Sequence, residues 1–177
     1  ARLQQMTEEE IDALRAALCV GMHSNVEVTA TNTAGGIRIN SGSQIIGAVQ
    51  GRQEILIFTD VSLHSMRFVG APFTFQMQTV STDISMISPN AAVNARGSVY
   101  FMDKGGFYVY NGSVQPLPCS VKQFVFSNIN LSQAFKVFAA ENNAFSEVMW
   151  FYPTTGSSVV NRMVAYNYFD SSPQRPV

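Results

Sequence analysis

Charge is scarce in this chain. Of its 177 residues only 13% are Asp, Glu, Lys or Arg, against about 25% in an ordinary soluble domain. Solvated surfaces need charge, so a deficit of this size predicts that much of the surface is covered by partners; a low-charge secreted domain would share the trait. The 11 basic residues are balanced by 12 acidic ones, for a net charge of −1. That balance argues against the basic footprint of a nucleic-acid binder. Cysteine is nearly missing too. Cys19 and Cys119 stand far apart, offer no metal-ligand spacing, and read as free buried thiols. Two histidines without carboxylate clusters make a zinc site a poor reading. No apolar run approaches the roughly 18 residues needed to span a bilayer. No signal-peptide pattern opens the chain either, and Ala1-Arg2-Leu3-Gln4 has no initiator methionine, so a piece of something longer is expected.

What is present is apolar: 46% of residues are hydrophobic, enough for the core of one domain. Residues 1–30 read as an N-terminal helix and connecting segment. Thr7 and Glu10 have capping-box spacing, and Glu8 and Glu9 join Glu10 in the first turn, where the helix dipole favours negative charge. Ile11, Leu14 and Leu18 then mark one helical face, and Gly21 is a stop.

Residues 31–177 read as a β domain. "NTAGGIRINSGS" (Asn32–Ser43) is a loop–strand–loop feeding three repeated units, at about 45–80, 91–121 and 136–168. The first reads "IIGAVQ", "EILIFTD", "SLHSMRFVG", "FTFQMQTV"; the second "AAVNAR", "SVYFMD", "GFYVYNG", "VQPLPCSV"; the third "KVFAAEN", "EVMWFYP", "NRMVAYNY". Phe58, Phe101 and Phe151 align, as do Asp60 and Asp103. A period of about 40–50 residues with four strands per unit is the signature of a β-propeller blade. The central strands are apolar at consecutive positions, as in Val99-Tyr100-Phe101-Met102, which predicts sheets covered on both faces. The fold class is therefore mostly β, with about three four-stranded antiparallel propeller-like blades, an incomplete ring and a short N-terminal helix. A β-sandwich of hairpin-built sheets is the competing reading. The third unit lacks a fourth strand, since the closing stretch from Asp170 to Val177 is polar and proline-bearing. Between units two and three, Asn130 is placed to cap a short helical turn through Ala134 and Phe135.

Chemistry is hard to find. Asp60, Ser62 and His64 invite a triad, yet three residues so close along one strand are not expected to converge. His64 reads as a hydrogen-bonded strand histidine. Asp60 and Asp103 could be the paired carboxylates of a glycosidase, but an aspartate between a strand and a tight turn is ordinary turn chemistry. Gly105-Gly106 and Gly35-Gly36 lack both the dinucleotide and the P-loop spacing. Asn111-Gly112 is a strong hairpin turn. The structural turn positions are therefore Asp60, Asp103, Gly105, Gly106, Asn111 and Gly112. The blade-core aromatics are Phe58, Phe101, Tyr108, Trp150 and Phe151. No catalytic, metal or cofactor-binding residue is assigned, and no cofactor is expected.

The segments "NTAGGIRINSGSQIIGAV", "EILIFTDVSLHSMRFVGAPFTF", "ISPNAAV", "GSVYFMDKGGFYVYNGSVQPLPCSV" and "EVMWFYP…VAYNY" resemble the tail hub or nozzle proteins of short-tailed bacteriophages, also called packaged-DNA stabilisation or tail tubular proteins. The resemblance covers roughly Thr31 to Tyr168. It implies a non-enzymatic virion component, assembled in the host cytoplasm, forming a homo-oligomeric ring of usually six subunits below the portal. Implied partners are the portal or adaptor, tail fibre or needle proteins, and packaged DNA, which passes through the channel without sequence-specific binding. Members of that family are longer, and the motif carries no catalytic residue. A carbohydrate-binding propeller contacting host glycan is the alternative function.

Overall fold

The structure, a computed structural model, describes residues 37–70 and 75–169. The helix expected from Thr7 to Leu18, Cys19, His23, Gly35-Gly36 and the closing stretch from Asp170 lie outside them. The described residues from Ser41 to Phe169 form one compact unit.

Eleven strands build three antiparallel sheets among the described residues. Sheet 1 holds β1 (Ile45–Gln50), β2 (Ile55–Thr59), β3 (Leu63–Phe68) and β4 (Phe75–Ser81). Sheet 2 holds β5 (Ala92–Ala95), β6 (Ser98–Met102), β7 (Phe107–Tyr110) and β8 (Val114–Pro116). Sheet 3 holds β9 (Phe138–Asn142), β10 (Glu147–Tyr152) and β11 (Arg162–Asn167). In every sheet, strands adjacent in sequence are adjacent in space. This is the blade-like, open-ring arrangement that the repeat pattern predicts; among the described residues the third sheet has three strands.

The sheets stack face to face in chain order. The first strand of each lies beside the first strand of the next, β1 by β5 and β5 by β9. A bridge between Asn90 and Phe138 runs parallel. Side chains alternate along a strand, and cross-strand partners share a face, so the pairings assign each residue to a seam. Phe101, paired with Tyr108, meets Phe58 of sheet 1 edge-on at 4.9 Å. One residue further on, Met102 and its partner Phe107 point the other way, and Phe107 meets Trp150 of sheet 3 at 4.8 Å. Sheet 2 is thus covered on both faces, which is why Val99, Phe101 and Met102 are all fully buried on consecutive or alternate positions. Each such side chain contributes about 1.5–3 kcal/mol on burial.

Three details differ from the sequence reading. Phe58 and Phe101 face each other across a seam, so they are opposed rather than equivalent; in facing, Phe101 corresponds to Trp150. No strand forms at Ile37–Asn40. And a helix not foreseen, α1 (Lys122–Asn128), follows β8, burying Val125. The short helical turn after Asn130 is present as a 3-10 segment, Leu131–Lys136, and the Asn130 side chain accepts from the Ser132 N–H.

Candidate functional site

Thr59 closes the β2–β3 turn, its side chain accepting from the Ser62 N–H at 2.9 Å, while Asp60 reaches back to the segment before β1. Its carboxylate accepts from the Ser43 N–H at 2.8 Å and the Ser43 hydroxyl at 2.6 Å, and those bonds lower its pKa. Asp103 closes the β6–β7 turn through its backbone, with its N–H donating to Gly106 O at 2.9 Å; burial raises the pKa of its carboxyl. Gly105 and Gly106 are not in the left-handed region. A Cβ at Gly105 would meet open space, whereas one at Gly106 would press on the Tyr108 ring at 3.2 Å. Gly112, at φ +110°, is in a conformation that L-residues rarely adopt.

The aromatic positions lie along the seams. Phe58, Phe101 and Trp150 are buried. Tyr108 is half-buried and stacks on Phe101 at 5.5 Å. Phe151 is half-buried and points away from sheet 2, stacked on Phe138.

Polar groups pin these seams. Between sheets 1 and 2 the Tyr110 hydroxyl donates to Glu54 at 2.6 Å, and Arg67 Nε donates to the other carboxylate oxygen at 2.8 Å. Burial works to raise the Glu54 pKa, but the hydrogen bonds from Tyr110 and Arg67 outweigh it and the net shift is downward. Burial and the Glu54 carboxylate push Tyr110 up to about 12. Between sheets 2 and 3 the Trp150 indole N–H donates to Ala91 O at 3.1 Å, and Ser88 donates to Val137 O.

The densest polar cluster surrounds His64 on the face of sheet 1 turned away from sheet 2. Ser62 Oγ lies 2.8 Å and Ser41 Oγ 3.0 Å from His64 Nε2, and the two hydroxyls are 2.9 Å apart. Thr79 Oγ1 is 3.3 Å from Nδ1. So Ser62 and His64 do converge, because positions two apart on a strand share a face. The third member of the imagined triad does not join them, since the Asp60 carboxylate is turned to Ser43 and a threonine hydroxyl faces Nδ1. Burial lowers the His64 pKa, favouring a neutral ring, whose one N–H and one lone pair are both served by hydroxyls. No sequence signal pointed to Ser41, which lies in an irregular segment far from His64 along the chain.

Among the described residues, no group of three or more His, Cys, Asp or Glu is placed to hold a metal ion. Nor is any helix there long and apolar enough to cross a membrane. Cys119 is a free, half-buried thiol whose pKa is raised by burial. No protein-family model and no curated protein matches the chain.

Proposed function

We propose that the chain is a structural subunit of the tail nozzle, or hub, of a short-tailed bacteriophage, forming part of a homo-oligomeric ring that retains packaged DNA and lets it pass at ejection. The observation that carries this reading is the stack itself. Sheets 1, 2 and 3 are joined through seams of aromatic and aliphatic side chains, and the outer sides of sheets 1 and 3 carry exposed Phe68 and Phe138. Such a stack is built to be continued by neighbours. The low charge of the sequence supports covered flanks. The even balance of 11 basic and 12 acidic residues suits a wall past which DNA must slide, because each Lys or Arg held on a phosphate would add a salt-dependent grip. On this reading the His64 cluster is structural: it fastens the segment at Ser41 to β3.

The test is genetic and physical. Phage particles made without this chain should package DNA and then lose it, read as nuclease-sensitive genome in purified heads. Antibody against the chain should decorate the distal end of the short tail in electron micrographs. Particles that lack the chain yet keep their DNA and infect normally would refute the proposal.

A further inference from the structure

The two seams of the stack finish in different chemistry. The β1–β2 and β5–β6 turns lie side by side, with Asn94 donating to Gln50 O at 2.7 Å. At this end the seam between sheets 1 and 2 closes on Tyr110, Glu54 and Arg67, and both carboxylate oxygens of Glu54 have a donor. The seam between sheets 2 and 3 carries the same residue types, spent differently. Tyr100 stands in a row with Val93 and Val109 on the face of sheet 2 turned to sheet 3. Opposite, Glu141 and Tyr166 flank buried Val148, and Tyr168 comes two residues later on the same side. The rings run in a line: Tyr166 to Tyr100 is 6.1 Å, Tyr100 to Tyr168 6.0 Å, and Tyr168 to Phe169 6.3 Å. The tyrosines are half-buried and Phe169 is 70% exposed. Tyr168 donates to one Glu141 oxygen at 3.2 Å. Arg96 does not take the other; its guanidinium lies over the rings, 5.6 Å from the centre of Tyr168 and 4.9 Å from that of Phe169. Among the described residues, the Tyr100 and Tyr166 hydroxyls and the second Glu141 oxygen make no hydrogen bond, and none of the three is sealed from solvent. Burial raises the pKa of both tyrosines, so their hydroxyls stay protonated donors at neutral pH. The backbone is unusual here as well. Among the described residues, Arg96 (φ 51°) and Ser146 (φ 58°) are the two non-glycines at positive φ. Arg96 fills the first place of a two-residue hairpin turn, where asparagine is usual, and Ser146 O accepts from the Tyr168 N–H at 3.0 Å. Such conformations collect at binding sites.

We infer that this line of rings, with Glu141 and Arg96, is a binding site for a neutral saccharide. The rings supply an apolar floor, because the negative face of an aromatic ring favours the C–H side of a sugar. The free Glu141 oxygen accepts from sugar hydroxyls, Arg96 donates to them, and the Tyr100 and Tyr166 hydroxyls can do either. The two charges select against other ligands. Arg96 already sits over two of the rings that a cationic group would seek, and it repels that group. Glu141 repels phosphates and carboxylates. A ligand that is uncharged, apolar on one side and dense in hydroxyls meets every one of these conditions. On the neighbouring seam the same residue types satisfy one another and leave nothing for a ligand. The site lies at the turn end of the stack and not on its flanks, so it neither needs nor excludes the tail reading.

The full 177-residue chain, applied to a printed array of neutral, acidic and amine-bearing oligosaccharides and to choline-agarose, tests the site. Neutral glycans should be retained in preference to both charged classes, and choline not at all. Glu141→Ala and Arg96→Asn should each weaken retention of the best neutral glycan by at least about tenfold, as expected where a hydrogen bond to a charged group is lost, with far-UV circular dichroism unchanged. Asparagine tolerates the left-handed backbone of this exposed turn, so Arg96→Asn decides the matter if Glu141→Ala misfolds. Tyr110→Phe, which opens the closed trio on the other seam, should leave retention as in the wild type. Four results overturn the proposal: no glycan of any class retained, charged glycans or choline preferred, retention that Arg96→Asn leaves unchanged, or an equal loss in Tyr110→Phe. The DNA-retention experiment judges the tail reading separately in every case.

Discussion

Tyr152 is fully buried in β10, and among the described residues its hydroxyl has no hydrogen-bond partner. A buried, unsatisfied hydroxyl costs free energy that a phenyl ring does not. Tyr152→Phe should therefore hold or raise stability, by up to about 1 kcal/mol, in urea unfolding; a clear loss would mean that the hydroxyl is bonded. Asp103 makes the opposite kind of statement about pH. Burial raises its folded-state pKa above the ordinary 3.8, so the folded chain holds this proton more tightly than the unfolded one. Its contribution to stability is full below the ordinary value and is lost as pH rises through the raised one. Asparagine keeps an oxygen acceptor and cannot ionise. Asp103→Asn should match the wild type in acid and exceed it at neutral pH, as read from urea midpoints across a pH series. If Asp103→Asn proved weaker than wild type near neutral pH, this account would fail.

Among the elements, the β6–β7 and β7–β8 connections separate two uses of glycine. Gly105 needs neither an unusual φ nor empty space, so Gly105→Ala should be neutral or gain about 0.4–1 kcal/mol through the unfolded chain. Gly112 sits at φ +110°, and Gly112→Ala should cost at least about 1 kcal/mol. Equal thermal midpoints for the two variants would contradict the distinction. These turns also show how far the sequence could be read. Strand identity was legible because doubly covered strands are apolar at consecutive positions, and "SVYFM" and "FYVY" carry that pattern openly. Facing was not. Aligning Phe58 with Phe101 by similarity hides a one-residue offset, and along a strand one residue exchanges the two faces. Helix α1 was illegible for another reason: "KQFVFSN" has no capping side-chain bond and carries two phenylalanines and a valine, weak helix formers, so it is packing, through Val125 and through Phe126 on Phe107, that favours a helix. The His64 cluster was half legible. Ser62 is local to it, but Ser41 and Thr79 arrive through tertiary structure that no spacing announces.

Taken whole, sheets 1 to 3 share continuous seams, so they should unfold together. Trp150, the chain's single tryptophan, reports on the seam between sheets 2 and 3. Its fluorescence transition should coincide with that of far-UV circular dichroism, which averages all three sheets. Separate midpoints would show the sheets to be independent.

Every sheet is a meander of strands adjacent in sequence, and each stacks on the sheet that follows it. That order bears on how the molecule is made. Contacts between near neighbours form quickly, because little chain entropy is lost in closing short loops. During synthesis, sheet 1 can pair its strands as soon as Ser81 has left the ribosome, but its Phe58 face is not fully covered until Phe101 and then Tyr110 follow. The nascent chain thus passes through a stage that exposes one adhesive surface at a time, each hidden by the next segment to emerge. A pause in translation between β4 and β8 would prolong the most aggregation-prone of those stages.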